Sequence, residues 1–404
     1  MTTKRLRDII KHFNNIHMKT TLKTLPFLLL LLLVACHQLK EDIIGKPGNI
    51  EAAISIRNCT SLKLSNIFQP ASNIVLGNIN KILTYRSLYY LMDEEQGIVT
   101  ILDNNGKLIR EINRRGHGNN EYVDLNDIFI DKDNQELNLL SRGSQKIFVY
   151  DMKGETLLRT VSVPKHFCSM IKIERGYVGY MGNYSEDAAN PYNFFTLDEN
   201  MKIKVGSVEI NPDVESRYNR DLSIFSNMGN KTLCIQEFDS DIYQADGNQV
   251  VKAFSIDFEK WSWPKDQKLF FEDPIKQITM DAQYVKKLNR VQETATSLIF
   301  FYHYQGQEYM TKYDKASLNS TCYSLRDGVE DLFPAPFGNV VGTNEECIIS
   351  TINAKNIHDL YSGRNEHNDF DEMYKDKMNS FRSTVGMVNT DNYSPYIVTY
   401  SIEN

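Results

Sequence analysis

Along much of the chain, apolar positions fall in short runs that alternate with polar ones, and the runs come in pairs. Ile128 and Ile130, then Leu137 and Leu139, point one way and polar residues the other, which is the period-two signature of β-strands. One phrase recurs: an apolar strand, an aspartate, two residues, often a glycine, then a second strand. It reads Val99-Thr100-Ile101-Leu102-Asp103-Asn104-Asn105-Gly106 and returns as Ile147-Phe148-Val149-Tyr150-Asp151-Met152-Lys153-Gly154. Weaker copies are Phe194-Phe195-Thr196-Leu197-Asp198 and Asp241-Ile242-Tyr243-Gln244-Ala245-Asp246-Gly247. The aspartates at 103, 151, 198 and 246 are spaced 48, 47 and 48 residues apart, and a fifth candidate, Asp314, follows 68 residues later.

Aspartate followed by glycine between two alternating runs is hairpin chemistry. The carboxylate bonds the local backbone and glycine accepts positive φ. Short antiparallel strands repeating every 40–50 residues predict a β-propeller with one four-stranded sheet per blade. The length available predicts six blades, with seven as the alternative. An amphipathic helix fits the pattern only locally, around Asp281–Val291. The reading is therefore all-β: a single propeller domain over 51–404, interrupted by an aromatic insertion at about 257–295. A propeller must pair its ends or expose strand edges. Ile54-Ser55-Ile56 and the stretch from Tyr396 to Ile402 are the segments expected to meet in the closing blade.

Arg114-Arg115-Gly116-His117-Gly118-Asn119-Asn120-Glu121-Tyr122 lies between a strand at 99–102 and another at 127–131. It resembles the inter-blade crossing of uncharacterised six-bladed propeller lipoproteins of Bacteroidota, of the general NHL/TolB-like kind, which usually carry Gly-x-Gly-Pro-Gly-Glu-Tyr there. Gly116, Gly118, Glu121 and Tyr122 match that motif, whereas Asn119 and Asn120 replace its proline and second glycine. Asparagine tolerates left-handed φ. The ending Ser394-Pro395-Tyr396-Ile397-Val398-Thr399-Tyr400 is similar to the family's closing strand. The resemblance implies a fold and an address but no chemistry, because the family is largely without assigned activity.

The amino terminus breaks the strand pattern. Lys19 and Lys23 precede an apolar run from Leu25 to Ala35, which contains Leu28 to Leu33, and Cys36 follows. The run is too short for a bilayer core, which needs about 20 residues, and it reads as a secretory signal over 1–35. Leu33-Val34-Ala35-Cys36 resembles a bacterial lipobox, which implies acylation of Cys36 with palmitate-type chains and a lipidated flexible tether over 36–50. Met18 is a candidate true start. Lys40-Glu41-Asp42 resembles a surface-export signal, so the expected address is the outer membrane, on its periplasmic face or at the cell surface.

Removing the signal takes basic and acidic residues from 45 and 52 to 39 and 51, a net charge of −12. That average field repels polyanions and argues against nucleic acid. The expected protein is a monomer whose partners are the membrane, through its lipid, and a glycan or protein. Five further cysteines, Cys59, Cys168, Cys234, Cys322 and Cys347, form no C-x-x-C. Their odd number rules out a full disulfide framework, and buried free thiols are expected.

No catalytic signature is found: no G-x-S-x-G, no H-E-x-x-H and no P-loop. His358 and His367, with Asp359, Glu366 and Asp369, make the densest polar cluster, read as a solvated loop with a ligand site as the alternative. Asp131-Lys132-Asp133-Asn134-Gln135-Glu136 imitates a calcium loop but lacks the glycine and terminal glutamate of an EF-hand, and is read as a hairpin turn. No cofactor, metal or catalytic residue is assigned. The candidate ligand or partner contacts are Trp261 and Trp263 in the insertion, together with Arg114, Arg115 and His117 at the crossing. The expected function is a non-catalytic binding module, its ligand glycan-related. The alternative is a glycan hydrolase or lyase working across the central opening.

Overall fold

A computed structural model describes residues 42–44, 62–71, 74, 76–212, 223–228, 231–258, 261–263, 283–285, 288–324, 339–344, 346–362 and 392–402. Cys36, the Ile54-Ser55-Ile56 segment, Cys59 and His367 lie outside these. Within the expected tether, Asp42–Ile44 is a strand.

Six blades of four antiparallel strands follow one another around a ring, and the sheet of the fourth carries a fifth strand. Blade 1 consists of Lys81–Tyr85, Leu88–Asp93, Ile98–Asp103 and Leu108–Asn113. Blade 2 spans Asp127–Asp131 to Leu157–Ser162, and blade 3 spans Ser169–Ile173 to Ile203–Glu209. Blade 4 runs from Phe225–Met228 to Val250–Ile256, and blade 5 from Leu288–Glu293 to Asn319–Ser324. Blade 6 takes three strands from the carboxyl-terminal end, Asn339–Thr343, Cys347–Ile352 and Tyr396–Ile402, and its outermost strand, Leu62–Phe68, from the amino-terminal side. Each inner strand starts on the face that receives the inter-blade crossings, here the connector face. It ends on the opposite face, which carries the first and third hairpins of each blade, here the turn face.

The recurring aspartates all do one job. Each ends the third strand of its blade and folds its carboxylate back over the turn. Asp103 Oδ1 accepts from the amides of Asn105 and Lys107, both at 2.9 Å. Asp151, Asp198, Asp246 and Asp314 repeat the arrangement from blades 2 to 5. The left-handed residue in these turns is Gly106, Gly154 or Gly247 in three blades, and Met201 and Leu318 in the other two. The repeat is thus one structural device used five times, and Asp314 belongs to it despite its longer interval.

The core lies between blades rather than at the centre of the ring. One apolar layer joins blades 1 and 2 through Tyr90, Ile112, Tyr122 and Phe148, and a second joins blades 2 and 3 through Phe129, Val149, Phe167 and Phe195. Further layers join blades 3 to 4, 4 to 5 and 6 to 1. Middle strands are therefore covered on both faces: all six residues of Glu136–Ser141 are buried. This corrects the simple picture of one polar face. Asn138 is buried too, and Glu136 lies under a bidentate pair with Arg159, whose second contact is 2.7 Å.

The described residues within Asp281–Val291 do not form the local helix that the pattern permits. Leu288–Glu293 is the inner strand of blade 5, with all six residues buried. An inner strand packed on both sides shows no period-two alternation, and so it imitates a helix in sequence. A helix does form at Ala354–Ser362, between the second and third strands of blade 6.

The chain ends meet by direct pairing. Leu62 pairs with Ile402 and Phe68 with Ile397, in an antiparallel ladder shifted once between Leu64 and Asn66. The strand used on the amino-terminal side is Leu62–Phe68.

Candidate functional site

The central channel opens at both ends, and the two openings differ in size and chemistry. On the connector face the neck holds only about 30 Å³. Asp127 dominates it. Lys81 Nζ of blade 1 lies 2.6 Å from Asp127 Oδ1, Ser169 Oγ of blade 3 donates to Oδ2, and the amides of Ile128 and Met170 donate at 2.9 and 3.1 Å. One carboxylate thus ties three blades together. Glu94 and Arg290 also line the neck. Arg290 is 6% exposed, and its charge acts on the half-buried carboxyl of Glu308, which desolvation pushes above the usual carboxylate range.

On the turn face the channel widens into a mouth of about 460 Å³, within the range of ligand pockets. It draws on blades 1, 2, 4 and 6. Arg86 and Ser87 come from the first hairpin of blade 1, Lys132 from that of blade 2, Asn227 from the inner strand of blade 4, and Glu346 from blade 6. Among the described residues, Leu88 is the only large aliphatic one in the lining. Gln135 Nε2 of blade 2 donates to Tyr85 Oη at 2.6 Å, fixing that ring across the blade boundary, and the Arg86 guanidinium lies 5.2 Å from the centroid of the same ring. Asn344 bonds Thr84 Oγ1 at 2.6 Å and receives the amides of Glu346 and Cys347 at 2.8 Å, which shapes the wall on the blade 6 side.

The sequence-predicted residues stand elsewhere. Arg114, Arg115 and His117 are exposed on the crossing from blade 1 to blade 2, and Arg115 Nη1 donates to Glu95 O at 3.0 Å. Trp261 is half-buried against the layer between blades 4 and 5, with its ring 6.4 Å from Tyr304. Trp263 lies edge-on to Tyr284 at 6.2 Å. Trp261 therefore fastens the start of the insertion to the propeller, whereas Trp263 meets a ring of the insertion itself. None of these five residues lines either opening.

Gly116, Gly118, Glu121 and Tyr122 form one tight assembly. Glu121 Oε2 accepts from the Gly118 amide at 2.9 Å, and a Cβ on Gly116 would sit 2.1 Å from that same oxygen. Tyr122 is fully buried. Its hydroxyl donates to Gly97 O at 2.8 Å and accepts from the Arg114 amide at 3.2 Å, and its ring meets Phe148 of blade 2 edge-on at 5.6 Å.

Asp131 Oδ1 accepts from the amides of Asp133 and Asn134 at 3.1 and 3.0 Å, so the calcium-like stretch is a hairpin turn. Among the described residues no group of acidic, histidine or cysteine side chains could hold a metal ion. His358 lies on the helix, with its ring 6.4 Å from Tyr396. Cys168, Cys234, Cys322 and Cys347 are buried thiols, and burial pushes those of Cys168 and Cys347 up to about 12.

The mouth residues carry no motif, and sequence reasoning missed them. One signal was present: Tyr85-Arg86-Ser87-Leu88 makes a two-residue hairpin without the usual asparagine or glycine.

The architecture is that of a six-bladed propeller with a polar mouth on one face and a tied neck on the other. The chain belongs to the family described as Domain of unknown function (DUF4934), whose model matches residues 50–393. Among solved structures it is similar to a protein of Bacteroides fragilis described as exported, with 15% identity and a TM-score of 0.67 over 85% of this chain and 96% of that one. It is also similar to a DUF4221 family member from Bacteroides vulgatus, with 11% identity and a TM-score of 0.47 over 85% and 99%. No curated protein matches it. Among the described residues, no helix is long and apolar enough to cross a membrane.

Proposed function

We propose that this protein is an extracytoplasmic lipoprotein, anchored to the outer membrane through Cys36, whose propeller binds a glycan-related ligand without transforming it. The observation that carries the binding half is the polar mouth of about 460 Å³, assembled from four blades. The export half rests on the basic start, the apolar run and the cysteine in register, and it agrees with the exported description of the similar Bacteroides fragilis protein. The protein acts as a monomer on the periplasmic face or at the cell surface. Arg114, Arg115 and His117, exposed on the connector face, and the insertion around Trp261 and Trp263 are proposed contacts for a protein partner.

Two experiments test this reading. Cys36→Ala should abolish fatty-acid labelling and release the protein from membranes, and a variant that still labels refutes the anchor. Ser87→Trp should fill the mouth and remove glycan binding on an array. Full binding by this variant would move the site elsewhere.

One observation favours a catalytic alternative, a glycan hydrolase or lyase: Glu94 and Asp127 share the neck. Against it, the oxygens of Asp127 are already committed to Lys81, Ser169 and two amides. New reducing ends from a glycan pool, lost in Asp127→Asn, would establish catalysis.

A further inference from the structure

The mouth contains a strained hairpin that the fold does not require. Arg86 and Ser87 occupy left-handed backbone, at φ 48° and 63°. A two-residue turn of this kind favours Asn-Gly because side chains are costly at such φ. In the two-residue turn of blade 5, Gln305 also holds the first left-handed position, at φ 52°, but glycine, Gly306, takes the second, which Ser87 fills here. Strain of this sort persists where surrounding structure enforces it, and it gathers at ligand sites. Here it presents an arginine and a hydroxyl to the mouth. The platform behind them is braced by another left-handed residue, Gln135 at φ 56°, which holds Tyr85.

The charges at the mouth run against the molecule's average. The chain as a whole carries −7. Among the described residues of its lining, the mouth nonetheless gathers Arg86 and Lys132, both exposed, against the single carboxylate Glu346. Among the described residues neither cation enters a salt bridge, whereas Lys81, Lys165, Lys172, Lys231 and Lys315 all do. Arginine offers a planar fork suited to a carboxylate. Around the two cations stand Ser87, Asn104 and Asn227, short polar groups that read hydroxyls.

Resting on the reading of the mouth as a glycan site, we propose that its ligand is an acidic saccharide, a uronate-bearing oligosaccharide whose carboxylate meets Arg86 and Lys132. The strained turn fixes the arginine before the ligand arrives, so less side-chain freedom is lost on binding.

Calorimetric titration of the full chain with tetragalacturonate, and separately with neutral maltotetraose, tests this. The acid should bind, and the neutral sugar should bind at least about tenfold more weakly, a difference of roughly 1.4 kcal/mol. Arg86→Ala and Lys132→Ala should each weaken the acid about tenfold. Arg86→Gly separates function from folding: it should raise the melting temperature, because glycine accepts the turn, while losing the acid like the alanine variant. Equal binding of both sugars, lost in Ser87→Trp, overturns the acidic assignment and leaves the mouth as the glycan site. Acid binding that survives Arg86→Gly and Lys132→Ala overturns the assignment of the contacts. No binding of the acid overturns the inference, while the array experiment with Ser87→Trp still decides the broader reading.

Discussion

Two junctions between blades do the same mechanical work by opposite means. From blade 1 to blade 2 the chain passes continuously, and one local motif makes the joint. Tyr122 reaches back 25 residues to Gly97 O and 10 residues to Ile112 O, while Glu121 holds its own loop. From blade 6 to blade 1 the contacts join opposite ends of the chain. Within blade 6, Ser65 Oγ donates to Thr399 O at 2.9 Å, across 334 residues, and from blade 1 Tyr89 Oη lies 3.2 Å from Thr399 Oγ1. Gln69 Nε2 donates to Asn392 O and Ser394 O at 2.9 and 2.7 Å, and Asn392 Nδ2 donates to Pro70 O at 2.8 Å. The first junction is a compact motif whose residue types are fixed by turn geometry. The second is a distributed seam of ordinary polar side chains beside the ladder that closes blade 6, and it carries an entropic cost of loop closure.

The comparison breaks most sharply on deleting residues 395–404. That removes the third strand of blade 6 and the buried Tyr396, Ile397, Val398 and Tyr400. Each large apolar side chain lost costs about 2–5 kcal/mol, against a total stability of roughly 5–15. The truncated protein should aggregate or be cut rapidly by protease. A cooperative melt at the full-length temperature would mean that the seam does not hold the ring.

At the local junction, Tyr122→Ala should cost about 3–5 kcal/mol, measured by denaturant titration. It removes a fully buried ring together with its hydrogen bonds. A loss under 1 kcal/mol would show that the motif is ornamental.

At the seam, Gly342→Ala should cost about 1–3 kcal/mol. Its Cβ would stand 2.3 Å from the Ile82 carbonyl oxygen of blade 1, a backbone atom that cannot swing away. An unchanged melting temperature would show that blades 6 and 1 slide freely.

Tyr122→Phe isolates the hydroxyl and should cost about 1–2 kcal/mol at neutral pH. Burial pushes the Tyr122 hydroxyl up to about 12, so the folded state favours the neutral phenol. Its contribution is complete below about pH 10, the ordinary tyrosine value, and is lost as pH rises from there through 12. Tyr177 and Tyr396 are held up to about 12 in the same way. Stability of the wild type should fall over that window, and less steeply in Tyr122→Phe. Identical slopes would remove the phenol from the balance.

The smallest effect belongs to the repeated turns. Asp198→Ala removes two amide contacts at 2.9 Å in one exposed turn and should cost about 0.5–1.5 kcal/mol. A larger loss would mean that one turn governs its whole blade.

The sequence by itself determined the repeat and a ring of six or seven blades, and it pointed to the crossing motif. Asp103, Asp151, Asp198, Asp246 and Asp314 act on amides within five positions of themselves, so their spacing records the blades directly. Gly116, Gly118, Glu121 and Tyr122 were legible through their resemblance to the crossing motif of a known propeller family. The tertiary structure alone decided which amino-terminal strand closes the ring, since any alternating segment there could have filled that edge. It also decided that Leu288–Glu293 is a strand, because burial on both sides erases the alternation that would announce one. The mouth was decided the same way. Arg86, Lys132, Asn227 and Glu346 lie far apart in the chain and share no motif, and only the closed ring brings them to one opening.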